Sequence, residues 1–171
     1  MKTKRVTVTP YNPHWPDDFE AIRRELAAGL GELIVDIHHV GSTSVPGLSS
    51  KPIIDIDVEI KDYSVFPEAV ARLQMLGYAH EGDLGIPQRE AFCYAGKAHL
   101  RKHHLYVCPA DSEELRRHIT FRDHLRRNPE DAAAYGAVKE KAARLYPDSI
   151  DDYMKFKSEI ICKLYRKCAL M

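Results

Sequence analysis

The chain has no long apolar run. Its longest stretches, such as Leu33-Ile34-Val35 and Pro52-Ile53-Ile54, fall far short of the roughly 18 residues that a membrane-spanning helix needs, so no transmembrane helix and no membrane partner are expected. A secretion signal is missing as well. After the basic opening Met1-Lys2-Thr3-Lys4-Arg5 come Val6-Thr7-Val8 and Pro10-Tyr11-Asn12-Pro13, where a signal would need an apolar core, and the expected location is cytoplasmic. Nor is there a surplus of either charge, since 25 basic side chains meet 25 acidic ones. That balance excludes a bulk electrostatic grip on nucleic acid or anionic membrane. The four cysteines, Cys93, Cys108, Cys162 and Cys168, form no Cys-X-X-Cys pair and read as reduced thiols filling apolar positions rather than as a zinc or disulfide framework. Neither the Gly-Lys-Ser/Thr of a P-loop nor the Gly-X-Gly-X-X-Gly of a dinucleotide fold is present.

What remains is one domain of ordinary size, 171 residues with 44% hydrophobic side chains. The zero net charge hides an asymmetry: residues 1–85 hold 8 basic and 13 acidic side chains, and residues 86–171 hold 17 basic and 12 acidic. Alternation in Arg5-Val6-Thr7-Val8-Thr9 predicts a short strand, and Pro16, Asp17, Asp18 and Glu20 open a helix that carries Phe19, Ile22, Leu26 and Leu30 on one face and ends near Gly29 or Gly31. Further strands are expected over 33–40, 53–60, 90–95 and 103–108, with a helix over 65–76 that stops at Gly77. From Ser112 onward the pattern is helical, in three pieces separated by Asn128-Pro129 and Pro147. The expected layout is an α/β (α+β) core over 1–110 with a mixed sheet, on which a C-terminal helical segment, 111–171, packs.

The most informative stretch is Ile54-Asp55-Ile56-Asp57-Val58-Glu59-Ile60. On a strand it places the apolar residues on one face and the three acids on the other. Asp55 and Asp57 then lie roughly 7 Å apart and repel unless a cation or basic group intervenes. Magnesium uses one or two protein carboxylates and completes its shell with water and phosphate oxygens, so the pair suits a metal shared with a nucleotide. The plainer alternative is a half-exposed strand with a solvated acidic face. The preceding loop, Gly41-Ser42-Thr43-Ser44-Val45-Pro46-Gly47-Leu48-Ser49-Ser50-Lys51, weighs against that plainer reading, although taken alone it reads more readily as a Gly-Pro-rich connecting turn whose serines hydrogen-bond their own backbone. Glycine and small hydroxyl residues let backbone N–H groups approach a phosphate, and Lys51 adds a charge.

The run His39-Val40-Gly41-Ser42-Thr43-Ser44-Val45-Pro46-Gly47-Leu48 with Lys51-Pro52-Ile53-Ile54-Asp55-Ile56 resembles the signature of the GrpB (UPF0157) family of the nucleotidyltransferase superfamily. The likeness extends to Tyr11-Asn12-Pro13 with Trp15-Pro16, to the strand containing His104, to Phe121-Arg122-Asp123-His124-Leu125-Arg126, and to the pairs Tyr135/Lys139 and Tyr153/Lys157. It implies a nucleotidyltransferase-type mixed sheet in which Gly41, Ser42 and Thr43 hold the phosphates of a nucleoside triphosphate such as ATP, and Asp55 and Asp57 are the catalytic, metal-binding acids for magnesium or manganese. The implied reaction is attack of a hydroxyl, on a small-molecule or protein acceptor, at the α-phosphorus with loss of pyrophosphate. Lys51, His104, Arg122, Lys139 and Lys157 are the expected phosphate-facing groups.

The superfamily pattern also calls for a third acid on a neighbouring strand. His103-His104-Leu105-Tyr106-Val107 offers none, so Glu59 or Glu90 substitutes, or one metal binds, or catalysis is lost. The resemblance therefore also carries a second function, a non-catalytic nucleotide-binding or folding-assistance module of the kind fused to dephospho-CoA kinase.

Overall fold

A computed structural model describes residues 5–170. Among them the strands β1 (Ile34–Val40), β2 (Ile54–Ile60), β3 (Tyr78–Gly82), β4 (Glu90–Tyr94) and β5 (His103–Pro109) form a five-stranded sheet in the order β1-β2-β5-β4-β3. Only the β2–β5 pair is parallel. Helices α1 (Trp15–Leu30) and α2 (Phe66–Met75) cover one face, and α3 (Glu113–Arg127), α4 (Pro129–Leu145) and α5 (Ile150–Lys167) follow the sheet. No helix among the described residues is long and apolar enough to cross a membrane.

The alternation in β2 sets the architecture. Ile54, Ile56, Val58 and Ile60 are fully buried with Ile22, Leu26, Leu30 and Leu73 of α1 and α2. At roughly 1.5–3 kcal/mol per buried aliphatic side chain, a one-residue slip of β2 would forfeit this whole row and drive three carboxylates into the apolar layer. The acids therefore face α3, α4 and α5. These helices have their own apolar seams, Leu125, Tyr135 and Leu164 against Val45 and Leu48 of the β1–β2 loop, and Ala142 and Tyr153 against Val6. Ser112 and Ser149 cap α3 and α5, accepting hydrogen bonds from the N–H groups of Leu115 and Asp152, each at 3.2 Å.

Two expectations need correction. Residues 5–9 form no strand: Thr9 makes an isolated antiparallel bridge to Ser50, and the Val6 N–H bonds the Pro147 carbonyl at 2.7 Å. The alternation there reflects Val6 inserting between α4 and α5. Conversely, Tyr78–Gly82 is a strand that periodicity did not disclose. It is an edge strand with a bulge near Gly82, and only Tyr78 is buried, so no apolar alternation is required of it.

Candidate functional site

The site begins at the turn after β1. Gly41 has φ +72°, a region that disfavours every residue with a Cβ, and a Cβ there would fall onto the Asp55 carboxylate. Glycine is thus required twice, by conformation and by the close approach of β2. Ser42–Ser44 form a 3-10 turn tightened by the Ser44 hydroxyl, which donates to the Gly41 carbonyl at 2.5 Å. From outside, α3 braces the turn: Arg122 Nη1 donates to the His39 carbonyl (3.1 Å) and Arg126 Nε to the Ser44 carbonyl (2.8 Å).

Across the β2–β5 pair, Asp55 stands beside His104 and Asp57 beside Tyr106. Asp55 Oδ1 accepts a hydrogen bond from His104 Nδ1 at 3.0 Å. Burial alone would raise the Asp55 carboxyl, but that bond and the charges of His104, His118 and Lys51 outweigh it and hold it below the usual carboxylate range. Asp57 is completely buried. Its Oδ2 accepts from His118 Nδ1 at 2.5 Å, and His118 Nε2 lies 3.1 Å from Glu114 Oε1. Asp57 Oδ1 is a buried oxygen with no hydrogen-bond partner among the described residues. An orphaned carboxylate oxygen of this kind is suited to a divalent cation. No group of three or more His, Cys, Asp or Glu side chains with metal-binding geometry occurs among the described residues; Asp55 and Asp57 are the residues that would hold a magnesium ion, its other ligands coming from water and phosphate.

Opposite Asp55 is a cavity of about 280 Å³ lined by Gly41, Ser42, Lys51, Tyr135, Lys139 and Lys157, among others. The i,i+4 pairs on α4 and α5 point the same way, with the Lys139 and Lys157 ammonium groups each 4.9 Å from the ring centroids of Tyr135 and Tyr153. Lys139 is only 2% exposed and Lys157 9%. The lysine ion pairs among the described residues are Lys97–Glu25 and Lys167–Asp131; Lys51, Lys139 and Lys157 have none. Burial lowers all three, Lys157 to about 8 and Lys139 well below its ordinary value, where the neighbouring Lys157 adds to the effect. The Tyr153 hydroxyl is also buried without a partner.

The structure therefore brings together Gly41, Ser42, Lys51, Asp55, His104, Lys139 and Lys157, with Asp57 beneath them. It does not bring Thr43 or Arg122 to this cavity. Thr43 is fully buried with its hydroxyl 2.9 Å from His39 Nε2, and Arg122 bonds Asp123 and the His39 carbonyl. Glu59 is bonded to His38, and Glu90, opposite Val107 in the β4–β5 register and bonded to His80 and Tyr63, belongs to the apolar face of the sheet and not to the face of the acids, so neither stands in as a third acid. The sequence reading missed His118 and Glu114. The i,i+4 spacing of Glu114 and His118 on one helix face was the available signal.

Comparison with known proteins places this geometry in a family. The GrpB family profile, described as GrpB protein, matches residues 5–167. A UPF0157 protein of Pseudomonas aeruginosa, PA4798, is 39% identical over 167 residues, covering 94% of this chain and 66% of that protein. YqkA, a UPF0157 protein of Bacillus subtilis, is 34% identical over 158 residues, covering 92% of this chain and 46% of that protein. The chain thus spans about half to two thirds of the length of these relatives. Dephospho-CoA kinase of Mycolicibacterium paratuberculosis is 25% identical over 187 residues, covering 95% of this chain and 46% of the kinase. Among solved structures, the conserved protein GrpB from Enterococcus faecalis superposes with a TM-score of 0.80 at 35% identity, covering 94% of this chain and 98% of that one. Two more distant likenesses show the fold alone. The GLD-2/RNP-8 complex gives a TM-score of 0.59 at 15% identity, over 91% of this chain and 61% of that one. The Cid1 poly(U) polymerase bound to MgATP gives 0.55 at 10% identity, over 78% and 43%. With the profile match running through nearly every described residue, and with these likenesses in fold, the chain belongs to the GrpB family and has a nucleotidyltransferase-type fold.

Proposed function

We propose that the chain binds a nucleoside triphosphate with magnesium and transfers its nucleotidyl group to a hydroxyl acceptor. The observation that carries this reading is the set of three lysines, Lys51, Lys139 and Lys157, converging without a carboxylate partner on the cavity beside Asp55. Burying an ammonium group without a counter-charge costs several kcal/mol, and a triphosphate supplies that counter-charge. The backbone of Gly41 and Ser42 offers close approach to the terminal phosphates, and Lys139 and Lys157 oppose the charge of the departing pyrophosphate. Asp55 and Asp57 would hold magnesium, which neutralises phosphate charge and polarises the α-phosphate when bound. The Cid1 polymerase described above, of the same fold, carries MgATP. Calorimetric titration with Mg·ATP tests the reading: saturable binding that disappears in Asp55→Asn/Asp57→Asn supports it, and binding unchanged in that variant sinks it.

A second reading, a nucleotide sensor or folding-assistance module without transfer, is favoured by one observation. Tyr106 stands beside Asp57 on β5 where the superfamily pattern wants a carboxylate, and one oxygen of Asp57 is already committed to His118. The dephospho-CoA kinase that contains a region like this chain is consistent with such a role. Incubation with magnesium and ATP labelled at the α-phosphate, in a cell extract as acceptor source, separates the two. Label transfer supports the enzyme; thermal protection by Mg·ATP without transfer supports the sensor.

A further inference from the structure

A second cavity, of about 600 Å³, adjoins the phosphate cavity and shares Lys51 and Ile53 with it. Its charged lining is one-sided. Arg5, Lys51, Arg101 and Lys102 face Asp18, the one carboxylate among the lining residues, and that carboxylate accepts a hydrogen bond from Arg101 Nε at 3.0 Å. Arg5, Lys51 and Lys102 have no ion-pair partner among the described residues, whose ion pairs in this region are Lys97–Glu25, His99–Glu25 and Arg101–Asp18. Lys51 is half-buried; burial lowers its affinity for a proton, the Asp55 charge opposes that, and the Lys102 charge adds a smaller lowering. Arg5, Lys51, Arg101 and Lys102 thus line one cavity with a single carboxylate among them, in a chain whose total charge is zero. Such a concentration of one sign attracts anions.

We propose that this cavity is the acceptor subsite and that the acceptor is itself anionic, a phosphate ester whose phosphate lies among Arg5, Lys51 and Lys102. The assignment of the acceptor role rests on the nucleotidyl-transfer reading above. Bound there, the ester presents a free hydroxyl toward the nucleotide at the Lys51 side. The hydroxyl oxygen forms a bond to the α-phosphorus while the bond from that phosphorus to the β-bridging oxygen breaks. Pyrophosphate leaves with the electron pair, and the hydroxyl proton passes to water. A cationic acceptor is disfavoured, because the same charges that hold a phosphate repel an ammonium group.

The test is a titration followed by nuclear magnetic resonance at the backbone amides of Thr7, Ala98 and Lys102, with Mg·ATP affinity measured in parallel by calorimetry. The probes are glucose 6-phosphate as a phosphomonoester and a short single-stranded oligonucleotide as a phosphodiester, with glucose and spermidine as neutral and cationic controls. The expected result is saturable shifts with at least one phosphoester, weakened at least about tenfold in Arg5→Glu/Lys102→Glu. The tighter-binding probe identifies whether the source is a monoester or a diester. Both substituted side chains are exposed, and circular dichroism checks that the variant folds. The inference is overturned if neither phosphoester shifts these amides, if the shifts survive the charge reversal, or if spermidine shifts them more strongly. Absence of Mg·ATP binding overturns the nucleotide reading and with it the acceptor role. The phosphoester titration then decides, by itself, whether the cavity is an anion site.

Discussion

His118 Nδ1 lies 2.5 Å from Asp57 Oδ2, so a carboxylate with no exposed surface is matched by an imidazolium from α3. The pair ties the C-terminal helices to the central strand. Removing one partner of a buried ion pair costs about 3–5 kcal/mol. His118→Gln is therefore expected to lower the urea midpoint markedly, and adding Asp57→Asn to it should restore much of the loss. The pH dependence has a definite sign. Burial alone would lower the His118 imidazolium, but its bonds to Asp57 and Glu114 outweigh that and raise it to about 10. Its stabilising contribution is complete below the free-imidazole value of about 6.5 and is lost as pH rises toward the folded value. Denaturation curves from pH 7 to 10 should show this loss in the parent chain and a much flatter profile in His118→Gln.

Gly41 and Gly47 offer a matched comparison, since both have positive φ, +72° and +83°. Around Gly47 a Cβ meets nothing within 4 Å, whereas at Gly41 it would fall onto the Asp55 carboxylate and come within 3.0 Å of its Cβ and Cγ. Gly47→Ala should therefore show conformational strain alone, about 1–2 kcal/mol. Gly41→Ala should cost more and should also break the Asp55–His104 hydrogen bond. Equal losses in the two variants, with an unchanged His104 imidazole resonance, would remove the argument that Gly41 is needed for the approach of β2.

Much of this was legible in the residues. The alternation of Ile54 to Ile60 named the central strand and the face its acids share, and Ser112, Pro129 and Pro147 marked the C-terminal helices. Each signal is local and repeated over several residues. Two kinds of feature were not legible. Tyr78–Gly82 pairs only through its backbone at a sheet edge, so its side chains carry no pattern. Arg122 and Arg126 share the spacing of the cavity-lining pairs, yet α3 aims them at the carbonyls of His39 and Ser44. Helical spacing says that two side chains share a face; the docking of the helix decides what that face meets.

Lys139 sets stability against binding. It is buried, unpaired, and beside Lys157 and Lys51, which oppose its charge, while Asp55 favours it. Lys139→Met keeps the stem's packing and removes the desolvation penalty, so the fold is expected to gain about 1–3 kcal/mol. The same substitution removes a charge-assisted contact to phosphate, worth about 1.5–3 kcal/mol, and Mg·ATP affinity should fall at least about tenfold. Opposite movement of melting temperature and affinity is the signature of a binding residue. A substitution that lowered both would mark Lys139 as structural.

Lys157 makes the affinity itself pH-dependent. Burial is the main cause of its lowering to about 8, with Lys51 contributing and Asp55 opposing. A bound phosphate stabilises the ammonium form, so the bound-state value lies above the free one. Below about pH 8 the side chain is charged with and without ligand, and Lys157 adds no slope to the affinity there. Above it, binding must be accompanied by uptake of a proton, and affinity falls by up to about tenfold per pH unit until the bound value is reached. Calorimetry of Mg·ATP binding in buffers of different ionisation enthalpy counts that proton directly. Proton uptake near pH 9 that disappears in Lys157→Met assigns it to this lysine. Uptake that persists in the variant would shift the assignment to Lys51 or Lys139, and no uptake at all would mean that phosphate does not reach the α5 side of the cavity.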